Sequence, residues 1–206
     1  EILSPLNGNI QRIILILMDA LSLLRFSRWL DAGTLPVWGH LLKSGNLFPI
    51  TSISPSTTST AMTTLWTGRS TVEHGVGGYE LWLKEYGLVA NMVLHAPMSF
   101  HSSNPSLEMA GFDPESMLTI PTLGEHLGQH GVSTHAFQHY SIAHSGLSRT
   151  FMKNVGIHPF GTEAECWVNV RELIDKEKKS KLYIWTYWGS YDSLSHRYSP
   201  EDERSL

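Results

Sequence analysis

Three short segments carry side chains whose types and spacing can do chemistry. Asp19 closes the apolar run Ile13-Ile-Leu-Ile-Leu-Met18, and Thr57, Thr58, Ser59 and Thr60 follow Pro55 and Ser56. Asp192 and His196 stand four residues apart. On a helical turn that spacing turns both the same way, so together they can chelate one hard or borderline cation. Hydroxyls at a helix start suit a different task, because a helix N-terminus supplies amide donors and a partial positive charge for an anion such as phosphate. Each segment also has a purely structural reading. An Asp after a strand commonly caps a turn, first-turn hydroxyls commonly cap helices, and an Asp-x-x-x-His pair commonly lies on a solvated helix face.

The elements around these residues decide between the readings. Residues 13–18 are apolar and rich in β-branched side chains, which fits a strand buried on both faces of a parallel sheet. Ser22 can cap a helix through Ala32, Pro36 can open a second helix that closes at Ser44-Gly45, and residues 48–53 read as a strand. The hydroxyl-rich turn leads into a helix over 61–66 that stops at Gly68. Residues 123–130 and 164–178 read as helices, and 132–137 and 182–187 as strands. Strands alternating with helices predict a doubly wound α/β fold, with a mostly parallel sheet, helices on both faces and function at the carboxyl ends of the strands. All three candidate segments sit at such ends. The chain reads as one domain over 1–206, with an irregular insertion at 80–116 and a tail after Pro200 that looks like the start of a helix. The domain is therefore expected to be incomplete at the C-terminus.

Composition narrows the partners. The 206 residues are 41% hydrophobic and 17% charged, enough apolar material for a sizeable core. A net charge of -4 gives no basic field, so no nucleic acid polymer is expected as a partner. The single Cys166 rules out an intrachain disulfide and a cysteine-cluster metal site, which leaves Asp, Glu, His and hydroxyls as metal donors. The run at 13–18 is too short to span a bilayer. A soluble chain is expected, with cytoplasmic and exported placement both open.

The combined pattern resembles the alkaline phosphatase superfamily, most closely its type I phosphodiesterase and nucleotide pyrophosphatase branch. The carrying segments are ILILMDA at Asp19, PSTTSTAMTTLWTGRSTVEHGVGGY from Pro55 to Tyr79, and YIWTYWGSYDSLSHRYSP from Tyr183 to Pro200. The likeness extends through YGLVANMV and PTLGEHLGQHGVST, which carry packing rather than chemistry. It implies a metal-dependent hydrolase of phosphoric esters, with a small-molecule ester or nucleotide as substrate and a phosphothreonine intermediate on Thr58. It implies two divalent metal ions, zinc in the first place, with manganese or iron as alternatives. Asp19 and Thr58 then serve one ion and Asp192 and His196 the other. An Asp-His pair and a later His that complete the family's ligand set are expected beyond Leu206. Tyr79 stands where nucleotide pyrophosphatases often carry an Asn that holds a phosphate oxygen, and it is the substrate-binding candidate. His74, in a family-like Glu-His-Gly turn, reads as structural, and His126, His130, His135, His139, His144 and His158 match no role.

Three other readings compete. A phosphomonoesterase of the same superfamily uses the same residues, and an inactive, metal-poor binding domain keeps the fold without the chemistry. A dinucleotide-binding dehydrogenase is disfavoured, because no Gly-x-Gly-x-x-Gly turn follows the first strand. The 206-residue chain alone is expected to bind zinc weakly and to hydrolyse no phosphodiester, since two side chains for each ion make a poor site. Metal analysis after dialysis and a chromogenic diester assay check this. Stoichiometric tight zinc with full turnover would mean that the ligands are misassigned.

Overall fold

The apolar run becomes strand β1 (Arg12–Met18) in the computed structural model, which describes residues 10–99 and 106–205. Helices α1 (Leu23–Asp31), α2 (Pro36–Leu41), α3 (Thr58–Thr67) and α4 (Thr71–His74) follow. Then come strands β2 (Glu80–Leu83), β3 (Leu88–Asn91) and β4 (Ala96–Pro97), and helices α5 (Ser106–Met109) and α6 (Leu123–Gln129). The remaining elements are β5 (Val132–His139), α7 (Gly146–Phe151), β6 (Gly156–Phe160), α8 (Glu163–Lys176), β7 (Lys181–Trp188) and α9 (Ser190–Tyr198). Two units divide the chain. The larger takes the chain up to Leu17 and Ile53–Tyr187, and the smaller takes Met18–Ser52 and Trp188–Leu206. No helix among the described residues is long and apolar enough to cross a membrane.

The larger unit is built on a four-stranded sheet in the order β1-β7-β5-β6. β5 runs parallel to β6 and to β7, with His135 opposite Gly156 and Val132 opposite Lys181. Consecutive side chains on these strands face opposite ways, as the two-residue period of a strand demands. Ala136, Trp185 and Tyr187 pack with Met62 and Trp66 of α3 and with Leu147 and Phe151 of α7. Phe137, Leu182 and Ile184 pack instead with Phe160 and with Cys166 and Val170 of α8. Helices therefore cover both faces, the doubly wound arrangement that the alternation of elements predicts.

Two expectations change. β1 lies at the end of the sheet order, and Ile13 and Ile14, neighbours that face opposite ways, are 49% and 43% exposed. Among the described residues it has one ladder neighbour, and it is not buried on both faces. Residues 48–53 form no strand, and Ile50 is 90% exposed. Their apolar pattern suits a pleat, but a strand exists only where another supplies hydrogen bonds.

Residues 80–99 and 106–116 are also more regular than their prolines suggest, and residues 100–105 lie outside the described part. β2, β3 and β4 form an antiparallel sheet, and Val76, Ala90, Met92 and Leu107 make a small core of their own. Strands this short leave too few alternations to read from sequence. His95 joins this module to α7. Its backbone N–H donates to the Asn91 carbonyl at 2.9 Å, and its own carbonyl accepts from the Leu107 N–H at 3.2 Å. A side chain at Gly146, the first residue of α7, would bring a Cβ within 2.2 Å of the imidazole, so only glycine fits.

The His95 ring is fully buried, lies edge-on to Phe112, and among the described residues has no hydrogen-bond partner for either nitrogen. Burial, reinforced by the nearby Arg149 cation, lowers its pKa to about 4. Arg149 is itself ion-paired to Glu108. The unfolded chain gains a proton on this residue below about pH 6.5, whereas the folded chain refuses it down to about pH 4, so acid favours unfolding across that window. Between pH 7 and 5 this residue should cost about 2 kcal/mol of stability. His95 has a φ of 54°, which Asn tolerates, so His95→Asn should lower stability at pH 7 but flatten that slope. Denaturant unfolding of both proteins at several pH values checks this, and identical slopes would refute it.

Candidate active site

α3 begins without the side-chain cap that its hydroxyls suggest. Thr57 occupies the N-cap in an extended conformation, yet its side chain makes no capping bond and instead lies 2.9 Å from the Thr60 hydroxyl. The neighbouring hydroxyls are absorbed inside the protein. Ser59, Thr60 and Thr63 are fully buried. Ser59 donates to the Gly78 carbonyl at 2.8 Å, and Thr63 donates to the Ser59 carbonyl at 2.8 Å. Thr58, the first residue of α3, is only half-buried. Gly68 ends the helix with φ of 64°, in the left-handed region where glycine pays no steric penalty.

The Ser59 bond to Gly78 places Tyr79 beside the start of α3. Tyr79 is 41% exposed, and its carbonyl accepts from the Met92 N–H at 2.8 Å. Its phenolic oxygen lies 2.8 Å from the Asn91 side-chain nitrogen. His74 is structural, as its sequence context indicates. Its Nδ1 accepts from the Val76 N–H at 3.0 Å, so the proton sits on Nε2 and points to the Thr64 hydroxyl 2.9 Å away. His135 and His158 bond to each other at 2.9 Å.

The smaller unit holds the other three candidates, at the carboxyl ends of two strands. Asp19 follows β1, its N–H donates to the Trp188 carbonyl at 3.0 Å, and its carboxylate accepts from the Ala20 N–H at 2.9 Å. Asp192 lies in the first turn of α9, directly after β7, with His196 one turn on. Burial raises the Asp192 pKa, and the nearby Asp19 charge raises it further, while His196 opposes both. The Asp19 charge thus acts directly on Asp192.

The donors fit a divalent metal in kind and in spacing. His196 Nε2 lies 3.4 Å from Asp192 Oδ1. Two ligands on a tetrahedral ion with bonds of about 2.1 Å stand about 3.4 Å apart, so this pair can take one ion with little adjustment. Oxygen and imidazole donors without thiolate suit zinc or manganese. Among the described residues no three His, Cys, Asp or Glu side chains converge on one point, so each ion would draw on further donors. Thr58 and Tyr79 belong to the larger unit and Asp19, Asp192 and His196 to the smaller.

Carboxylates after strand ends and hydroxyls at a helix start stand where open α/β sheets place their ligand sites. The family model of type I phosphodiesterases/nucleotide pyrophosphatases matches residues 13–206, and the chain belongs to that family. Among solved structures, phosphonoacetate hydrolase from Sinorhizobium meliloti 1021, in complex with phosphonoformate, aligns with a TM-score of 0.63 at 16% identity, over 93% of this chain and 49% of that one. Murine ectonucleotide pyrophosphatase/phosphodiesterase 5 aligns with a TM-score of 0.65 at 14% identity, over 93% of this chain and 47% of that one. At these identities the likeness carries the fold alone. The chain spans about half the length of the solved structures it matches. Comparison with curated protein sequences found no match.

On the expectation that both side chains serve one ion, Asp192→Asn and His196→Ala in the full-length protein should each lower bound metal, and the double variant should lose no more than the stronger single one. Metal analysis of the purified variants checks this. Unchanged occupancy in both would make the pair a solvated helix face.

Proposed function

We propose that this chain supplies the nucleophile and part of the metal centre of a hydrolase of phosphoric esters, of the phosphodiesterase and nucleotide pyrophosphatase type. The observation that carries this reading is the sorting of hydroxyls at the start of α3. Ser59, Thr60 and Thr63 are fully buried, while Thr58 alone of the helical hydroxyls in that first turn keeps partial exposure. The family match, and the carboxylates and imidazole at the ends of β1 and β7, support it.

Asp19, Thr58, Asp192 and His196 are the chain's donors to two divalent ions, zinc in the first place. Bound there, such ions supply Lewis acidity that favours the Thr58 alkoxide and neutralises charge on the leaving oxygen. The Thr58 hydroxyl oxygen attacks phosphorus, the bond from phosphorus to the ester oxygen breaks, and the alcohol or nucleotide leaves with a proton. The α3 N-terminus offers amide donors to the phosphoryl oxygens. Water then attacks phosphorus in the phosphothreonine and restores the Thr58 hydroxyl. Tyr79, in place of the Asn common in nucleotide pyrophosphatases, offers its hydroxyl to a phosphoryl oxygen. The substrate is a small phosphoric ester, and monoesters and diesters are the first two classes to compare.

In the full-length protein, Thr58→Ala should fold normally, costing about 1 kcal/mol at most, and should lose activity by orders of magnitude. Thr58→Ser should keep measurable turnover, and Thr57→Ala should be much milder than Thr58→Ala. Turnover of chromogenic mono- and diesters is measured, with mass spectrometry of an acid-quenched reaction to locate the phosphoryl group. Near-normal turnover in Thr58→Ala, or a label on Thr57 or Ser59, would overturn the assignment.

A further inference from the structure

Asn91, the last residue of β3, has both ends of its side-chain amide committed. Its oxygen accepts from the Val93 N–H at 2.8 Å and from the Leu94 N–H at 3.0 Å. Two backbone N–H groups can be met only by an oxygen, so the orientation of this amide is settled by chemistry. The atom facing Tyr79 at 2.8 Å is therefore the NH2 nitrogen, which has no lone pair to offer. The Tyr79 oxygen must accept, and its own proton must go to a different partner. Asn91 is 8% exposed and Tyr79 is 41% exposed, so the buried residue directs the accessible one.

We infer that Asn91 is a positioning residue that makes the Tyr79 hydroxyl a one-way hydrogen-bond donor, selecting an anionic phosphoryl oxygen beside Thr58. This rests on the proposed function above and deepens it. The bond from Ser59 to the Gly78 carbonyl holds the residues before Tyr79 against the first turn of α3, one residue from Thr58. The Met92 N–H bond to the Tyr79 carbonyl fixes the residue from the other side. A phenol that already accepts a hydrogen bond donates more strongly, since linked hydrogen bonds polarise one another. A ligand atom that is itself a donor finds this oxygen already engaged by the Asn91 NH2. A non-bridging phosphoryl oxygen, with lone pairs and negative charge, is the ligand it suits.

Asn91→Asp tests this with little change of shape. The retained carboxylate oxygen still accepts from Val93 and Leu94, while the second oxygen replaces a donor with an acceptor and draws the Tyr79 proton inward. The variant should weaken inhibition by inorganic phosphate, and raise KM for the ester more than it lowers kcat, by about 10- to 100-fold, the size of a hydrogen bond to a charged group. Tyr79→Phe should do the same. A new negative charge could also repel phosphate directly, and the double variant separates the two causes. If Asn91 acts through Tyr79, Asn91→Asp adds little in the Tyr79→Phe background. Equal losses from Asn91→Asp in both backgrounds, or no loss in either single variant, would overturn the inference while leaving the Thr58 reading intact. Failure of the metal-loaded, full-length wild type to bind inorganic phosphate or to turn over any ester would overturn both.

Discussion

Trp66 anchors the helix on which the proposed chemistry depends. Its ring is 1% exposed, meets Trp185 of β7 edge-on at 5.4 Å and stacks on Phe151 of α7 at 5.7 Å. Truncating a buried aromatic of this kind typically costs 3–5 kcal/mol, about as much as any single residue contributes to a fold. Trp66 lies in the last turn of α3, and a helix is stiff, so fixing that end also fixes Thr58 about two turns upstream. Gly68 then lets the chain leave the helix at once through a left-handed turn.

From that anchor the start of α3 is sorted by depth. The side facing the interior takes Ser59, Thr60 and Thr63, whose hydroxyls are satisfied within the protein, so their burial is inexpensive. Thr57 meets a side-chain partner rather than the helix amides. The same hydrogen bonds tie the small β2-β3-β4 sheet to the helix, through Ser59 and the Gly78 carbonyl. That sheet was the least legible part of the sequence, and it carries Asn91 and steadies Tyr79. A module that reads as an insertion in the sequence is thus part of what supports the proposed site.

The smaller unit is governed by charge. Asp19 and Asp192 enter it from the ends of two strands, and the like charges work against each other. Only His196, 3.4 Å from Asp192, offsets this among the neighbours that act on Asp192. Arg25 pairs with Glu201 instead.

Periodicity determined most of the secondary structure in advance. The helices at α1, α3, α6 and α8 and the strands at β1, β5 and β7 all follow from it, because apolar spacing and cap residues act within a few neighbours. The family, and with it Asp19, Thr58, Asp192 and His196 as candidates, was legible because the motifs are local and ordered along the chain. Tertiary structure alone decided what depends on partners distant in sequence. Among the described residues it left β1 at the end of its sheet and residues 48–53 outside any strand, since a ladder needs a neighbour that no local pattern names. It separated Thr58 from Ser59 and Thr60 by burial, although the three are chemically alike in sequence. It also gave Asn91 its place under Tyr79, because hydrogen-bond direction is set by which atoms the fold brings together, and the sequence YGLVANMV reads only as packing.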